Sequence, residues 1–220
     1  MPFNKVITFW SNYNVVIAAI IGLVRFKVIL KSYRPFVYFN CVAILNELVS
    51  WYTAKTFRNN AVNSNIYVLI EFVLLLWLFK NWGEHQRKIK FYVFLFVAAS
   101  IVWTIDSFIY HPITQFSSVY RIFYSFILIF LSIDQLNYII TTERKNVLKN
   151  ARFIICSAFI IYYSYKAIWE TFYMIELSFK ESLYVNIMYI LIFVNFFLNL
   201  VYALATLWIP TKQKFTQPYS

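Results

Sequence analysis

Residues 66–83 read IYVLIEFVLLLWLFKNWG. Only Glu71 and Lys80 carry charge there, and no proline interrupts the run. An α-helix rises about 1.5 Å per residue, so about 20 such residues cross the hydrocarbon core of a bilayer. The stretch therefore reads as a transmembrane span. Six further apolar runs of similar length, at 10–28, 36–55, 91–110, 119–140, 151–172 and 184–208, read the same way. The expectation is an all-α membrane protein, one domain over residues 1–220, built as a bundle of seven transmembrane helices. The first run is the weakest, because Ser11, Asn12 and Asn14 dilute one end of it. It lacks a small-residue cleavage site, so no cleaved signal is expected.

Composition agrees with this reading. Of 220 residues, 61% are hydrophobic and 13% charged, and mean hydropathy is +0.63. A soluble domain has too much surface for so few polar side chains. Cys41 and Cys156 both lie in apolar runs and read as small buried hydrophobes, not a disulfide framework.

Fourteen of the twenty Lys and Arg residues fall between spans one and two, three and four, five and six, or in the tail. Four lie on the other side, and Arg121 and Lys166 lie inside spans. Positive charge stays in the cytoplasm, which predicts an outside N-terminus and a cytoplasmic C-terminus in a cell membrane. The net charge of +11 arises from these clusters. No basic face interleaves with an aromatic platform, so nucleic acid is excluded as a partner. The lipid bilayer is the expected partner of the basic loops, together with a cytoplasmic or membrane signalling partner.

Charge inside a bilayer is costly and marks candidate function. Five of the nine acids lie within spans: Glu47, Glu71, Asp106, Asp134 and Glu170. All but Asp134 fall outward of the span centres. Arg121 and Lys166 share their half of the membrane. Lys166 and Glu170 are i,i+4 neighbours placed to pair. Asn195 and Asn199 share a helix face with Tyr202. On span two, Asn40, Ala43, Glu47, Ser50 and Ala54 form one stripe expected to face the interior. Glu47, Glu71, Asp106, Arg121, Lys166, Glu170, Asn195 and Asn199 are the candidate lining of a polar cavity rimmed by His111. The competing interpretation is a structural network in which the acids pair with Arg121, Lys166 and nearby hydroxyls. No span holds an internal proline, so continuous helices are expected.

Several chemistries are excluded. His85 and His111 fall on opposite sides of the membrane, so no three-histidine zinc site forms, and no metal or cofactor is expected. The last span lacks a lysine, which removes the usual retinal attachment point. No G-x-S-x-G or P-loop occurs, and no catalytic residue is assigned.

Asn59-Asn60, Asn65-Ile66-Tyr67 and Ile70-Glu71-Phe72, with Asn46-Glu47 before them and Tyr202-Ala203-Leu204-Ala205 in span seven, carry a resemblance. On these residues the chain resembles a family of short bacterial seven-helix membrane proteins to which no activity is assigned. The resemblance implies the topology and a bacterial inner-membrane location, and draws attention to Glu47 and Glu71. The expected function is a receptor-like or signalling module with a ligand cavity in the outer half of the bundle. Its loops leave no room for an output domain, hence the expected partner. The alternatives are a lipid-modifying enzyme using paired carboxylates, Glu47 with Glu71, and a small-solute transporter.

Overall fold

The computed structural model describes residues 14–83, 87–142, 147–174 and 181–211. Among them the chain forms seven α-helices and no strand. These are α1 (Val15–Arg25), α2 (Arg34–Phe57), α3 (Ala61–Trp82), α4 (Ile89–Ile105), α5 (Ser118–Thr142), α6 (Ala151–Met174) and α7 (Glu181–Trp208). Four are long and apolar enough to cross a membrane: α3, α4 with its continuation to Tyr110, α5 and α6. The helix α1 and the Ile192–Trp208 part of α7 are shorter apolar helices. At 24 residues α2 is long, but Asn40, Asn46, Glu47, Ser50, Thr53 and Lys55 dilute it.

Local chemistry sets the helix ends. Pro35 occupies the first turn of α2, where its missing N–H costs nothing. Arg58, with φ 55°, adopts the left-handed conformation that stops α2. Asn59 Oδ1 then accepts the Ala61 N–H at 2.8 Å and starts α3. Gly83 ends α3, and a Cβ there would sit 2.1 Å from the Tyr92 hydroxyl, so a larger residue would force the Tyr92 side chain to shift. Each helix packs on its sequence neighbours, and α7 returns to pack on α1, which closes the bundle.

One end of the bundle is basic and latched. Arg25, at the end of α1, donates to the carbonyls of Thr206, Leu207 and Ile209 at the end of α7. A cation thereby neutralises the negative pole of α7. Leu30 N–H donates to Pro210 O at 3.1 Å beside it. Arg87 clamps Asp134 with two bonds of 3.0 Å. Above this end, Phe36, Phe39, Phe79, Phe159, Tyr163 and Tyr202 interlock with ring centroids 5.6 to 6.2 Å apart. Toward the opposite end the interior turns polar: Asn65, Glu71, Asp106, Ser125 and Glu170 are all buried. Outward faces show the reverse, with Ile101, Phe130 and Phe197 more than half exposed. Polar within and apolar without is the distribution a bilayer selects.

The expected inward stripe on α2 is corrected, and helix α4, unbroken through Tyr110 as expected, is not regular to its end: Asp106–Tyr110 forms one wider turn. Asp106 O accepts the His111 N–H at 3.1 Å, five residues on. No proline is needed, because the Asp106 carboxylate itself is drawn to Tyr120 N–H and to His111. On α2, Asn40 is buried but Ala43, Glu47 and Ser50 are half-buried and Ala54 is exposed. Ser50 Oγ accepts from Asn60, and Asn46 Oδ1, beside the stripe, accepts from Asn63, so this end of α2 bonds to the start of α3.

Candidate functional site

Glu71 stands mid-way along α3 with a side chain only 1% exposed. Its Oε1 accepts the Tyr163 hydroxyl at 2.6 Å. Its Oε2 accepts the Tyr124 hydroxyl at 3.1 Å and Lys166 Nζ at 3.3 Å. Lys166 Nζ is also bonded to the Tyr124 hydroxyl. It lies 5.1, 5.5 and 5.8 Å from the ring centroids of Tyr124, Tyr162 and Tyr163. A carboxylate and three aromatic faces thus surround one ammonium, which compensates its removal from water. This cluster ties α3, α5 and α6 together.

One turn toward the other end lies a second ion pair. Arg121 is three residues before Tyr124 on α5, and Glu170 four after Lys166 on α6, so helical spacing stacks the two clusters. Arg121 Nη1 donates to Glu170 Oε1 at 3.2 Å. Its Nη2 donates to Ser64 Oγ at 2.8 Å and to Asn65 Oδ1 at 3.3 Å. Its guanidinium lies 5.0 Å from the Phe116 ring centroid. Ser118 Oγ donates to Glu170 Oε2 at 2.8 Å.

Ser118 is also part of the wall of a cavity of about 480 Å³. Asn59, His111, Thr114, Gln115 and Tyr173 line the same cavity. Its size falls within the range of small-molecule sites. The α4–α5 connection that forms one side is held by Asn65. The Asn65 Nδ2 donates to Ile113 O and Gln115 O at 3.1 and 2.6 Å. Its Oδ1 accepts from Ser117 N–H and Oγ at 3.1 and 2.9 Å. Asn59 Nδ2 adds a bond to Thr114 O at 3.0 Å. At the rim, His111 Nδ1 lies 3.3 Å from Asp106 Oδ1, while Asp106 Oδ2 accepts the Tyr120 N–H at 2.9 Å. His111 is thereby held by a buried carboxylate with its ring half-exposed to the cavity.

The structure brings Glu71, Lys166, Arg121 and Glu170 into two stacked pairs. Asp106 joins through Tyr120, the residue before Arg121. The expected Lys166–Glu170 pair is corrected: Lys166 turns across the bundle to Glu71, because Arg121 and Ser118 already occupy both Glu170 oxygens. Glu47 is half-buried and makes no hydrogen bond or ion pair among the described residues; none joins it to Glu71. Asn199 is buried and Asn195 half-buried, and neither bonds to the clusters among the described residues. Asp134 pairs with Arg87 at the basic end. Among the described residues no group of three or more His, Cys, Asp or Glu is placed to hold a metal ion.

Ser64, Asn65, Ser118, Tyr124 and Tyr163 complete the site and were not among its sequence candidates. Tyr124 and Tyr163 each stand three residues from a candidate base, a helical spacing that could have found them. No protein-family model matches the sequence, and no curated protein or solved structure matches it.

Proposed function

We propose that the chain is a receptor-like membrane module of seven spans that binds a small, neutral, polar ligand in the cavity between Asn59, His111 and Ser118. In this reading the cavity end faces outward, the N-terminus lies outside, and the basic end contacts a signalling partner in the cytoplasm of a bacterium. Membership of the short bacterial seven-helix family belongs to the same proposal. One observation carries it. Ser118 lines the cavity and its hydroxyl holds Glu170, whose partner Arg121 bonds Asn65, the residue that fixes the cavity wall. A ligand that takes up Ser118 or displaces the Ile113–Ser117 carbonyls changes the partners of Arg121. The α5–α6 pair carries that change toward Glu71 and Lys166.

The lining supplies amide, hydroxyl and imidazole groups and two aromatic rings, Phe116 and Tyr173, 6.1 Å apart edge to face. It suits a solute with several hydroxyl or amide groups. The paired-carboxylate enzyme has less support, since Lys166 and two tyrosines occupy Glu71 and no hydrogen bond links it to Glu47. A transporter has less support because α3, α5 and α6 are unbroken.

The test is a thermal-shift screen of the purified protein against small polar solutes, followed by Ser118→Ala and Gln115→Ala. A saturable stabiliser weakened about tenfold or more by either change is expected, the worth of one buried hydrogen bond to a ligand. A screen without any saturable stabiliser, or hits indifferent to both substitutions, defeats the proposal. Reporter fusions at Thr114 and at Val28 check the orientation: the first should read as external and the second as cytoplasmic.

A further inference from the structure

At the basic end, a recess of about 400 Å³ lies between the start of α2 and the end of α3. Lys31, Ser32, Arg34 and Asn81 line it, with Tyr38 and Trp77. Next to it a groove of about 280 Å³ runs between α3 and α4, lined by Val73, Leu76, Val93 and Phe96, with Lys80 at its end. Trp77 belongs to both. It stacks on Tyr38 with centroids 6.0 Å apart and planes 20° apart. Among the described residues no carboxylate pairs with Lys31, Arg34 or Lys80. Two cations therefore line one recess and a third stands at the adjoining groove, none with a carboxylate partner among the described residues, while that apolar groove leaves the recess along a helix long and apolar enough to span a membrane.

We infer that this end holds one anionic phospholipid. Its phosphate sits among Lys31, Arg34, Ser32 and Asn81. Its glycerol region lies at Trp77, where the recess meets the groove. One acyl chain follows the α3–α4 groove past Val73 and Phe96. Charge complementarity selects an acidic lipid over a zwitterionic one. The apolar groove selects a lipid over free phosphate, which has nothing to place there. Each basic residue near an anionic lipid surface contributes about one kcal/mol, so removing two should weaken binding about 30-fold. The inference rests on the membrane reading of α3 and α4 and not on the ligand site at the other end; either can fail alone.

The experiment is native mass spectrometry of the full chain in mild detergent, titrated with dioleoylphosphatidylglycerol, dioleoylphosphatidylcholine or inorganic phosphate. One tightly retained equivalent of the glycerol lipid is expected, with the choline lipid at least tenfold weaker and phosphate alone not retained. The double variant Lys31→Gln, Arg34→Gln should bind about 30-fold more weakly, by the same arithmetic. Val93→Trp, which fills the groove and leaves every charge in place, should weaken binding at least tenfold. Lys55→Gln, at the far end of α2, should change nothing. Should the double variant fail to fold, Val93→Trp and Lys80→Gln carry the test. Equal retention of both lipids, binding unaffected by these substitutions, or retention of phosphate alone overturns the inference.

Discussion

Lys166→Met removes the ammonium that Glu71 faces at 3.3 Å and leaves a carboxylate whose side chain is 1% exposed. Breaking a buried ion pair from one side costs about 3 to 5 kcal/mol, because the remaining charge keeps its desolvation penalty and loses its compensation. Tyr163 and Tyr124 still donate to Glu71, so the lower figure, about 3 kcal/mol, is expected here. In a chain of this size each kcal/mol moves the melting temperature by about 2 to 4 °C, which places the loss near 9 °C. Glu71→Gln costs less, since the ammonium retains three aromatic faces worth about 0.5 to 2 kcal/mol. The double variant removes both charges while the amide oxygen introduced by Glu71→Gln can still accept from Tyr163, so it should melt within about 4 °C of the parent. The coupling between the two sites should therefore be about 2 kcal/mol or more. Melts of detergent-purified protein followed by tryptophan fluorescence measure all four corners of this cycle. If the two single losses simply add in the double variant, Lys166 and Glu71 are not partners and the stacked-pair description is wrong.

Other sites give sharper or blunter responses. Asn65→Leu deletes the amide that ties residues 113–117 to α3; amide exchange at Gln115 and Ser117 should rise at least tenfold, and unchanged exchange would mean the connection holds itself. Gly22→Ala places a Cβ 2.9 Å from a Val37 methyl, which should cost about 1 to 3 kcal/mol and be largely restored by Val37→Ala in thermal melts. No rescue by the second change would show that α1 and α2 do not meet there. Arg87→Gln breaks a pair whose side chains are 43% and 37% exposed, so melting should fall by no more than about 3 °C and not at all in high salt. The Asp134 carboxylate raises the affinity of Arg87 for its proton, but the guanidinium stays charged with or without it, so titration of Arg87 itself contributes nothing to the change.

The helices were legible because apolar run length is a direct record of the solvent. The structure places helices over the runs 36–55, 66–83, 91–110, 119–140 and 151–172, whose ends Pro35, Arg58 and Gly83 help to fix. That Glu71, Arg121, Lys166 and Glu170 turn inward was legible for the same reason, since charge facing lipid costs too much. Which acid meets which base was not. Spacing along α6 offers Glu170 to Lys166, but a four-carbon side chain can reach across to α3 as easily as along its own helix. The choice fell to Ser118 and Arg121, some fifty positions away in sequence, which claimed Glu170 first. The wide turn at Asp106 was hidden likewise, because it depends on a carboxylate that caps the next helix.

Asn65 shows most clearly what one sequence conceals. By type it is an ordinary amide at the start of an apolar helix, and its worth comes from using both ends at once. Its nitrogen holds two carbonyls of the cavity wall, and its oxygen receives both Ser117 and Arg121. A carbonyl oxygen has two lone pairs, so three donors compete for two places. The Arg121 bond, at 3.3 Å, is the longest of the three. Displacing Ser117 frees a lone pair and lets Arg121 approach Asn65 more closely, away from Glu170. Seating Ser117 more firmly does the opposite. Under the proposed function, the Asn65 amide is the route from the cavity wall to the buried pair. Asn65→Asp tests this directly: it exchanges the two-carbonyl clamp for a second carboxylate beside Arg121. A stabilising solute should then bind at least tenfold more weakly even where the fold survives. Unchanged affinity in a folded Asn65→Asp protein would separate the cavity from the charge pair and remove the physical basis for coupling them.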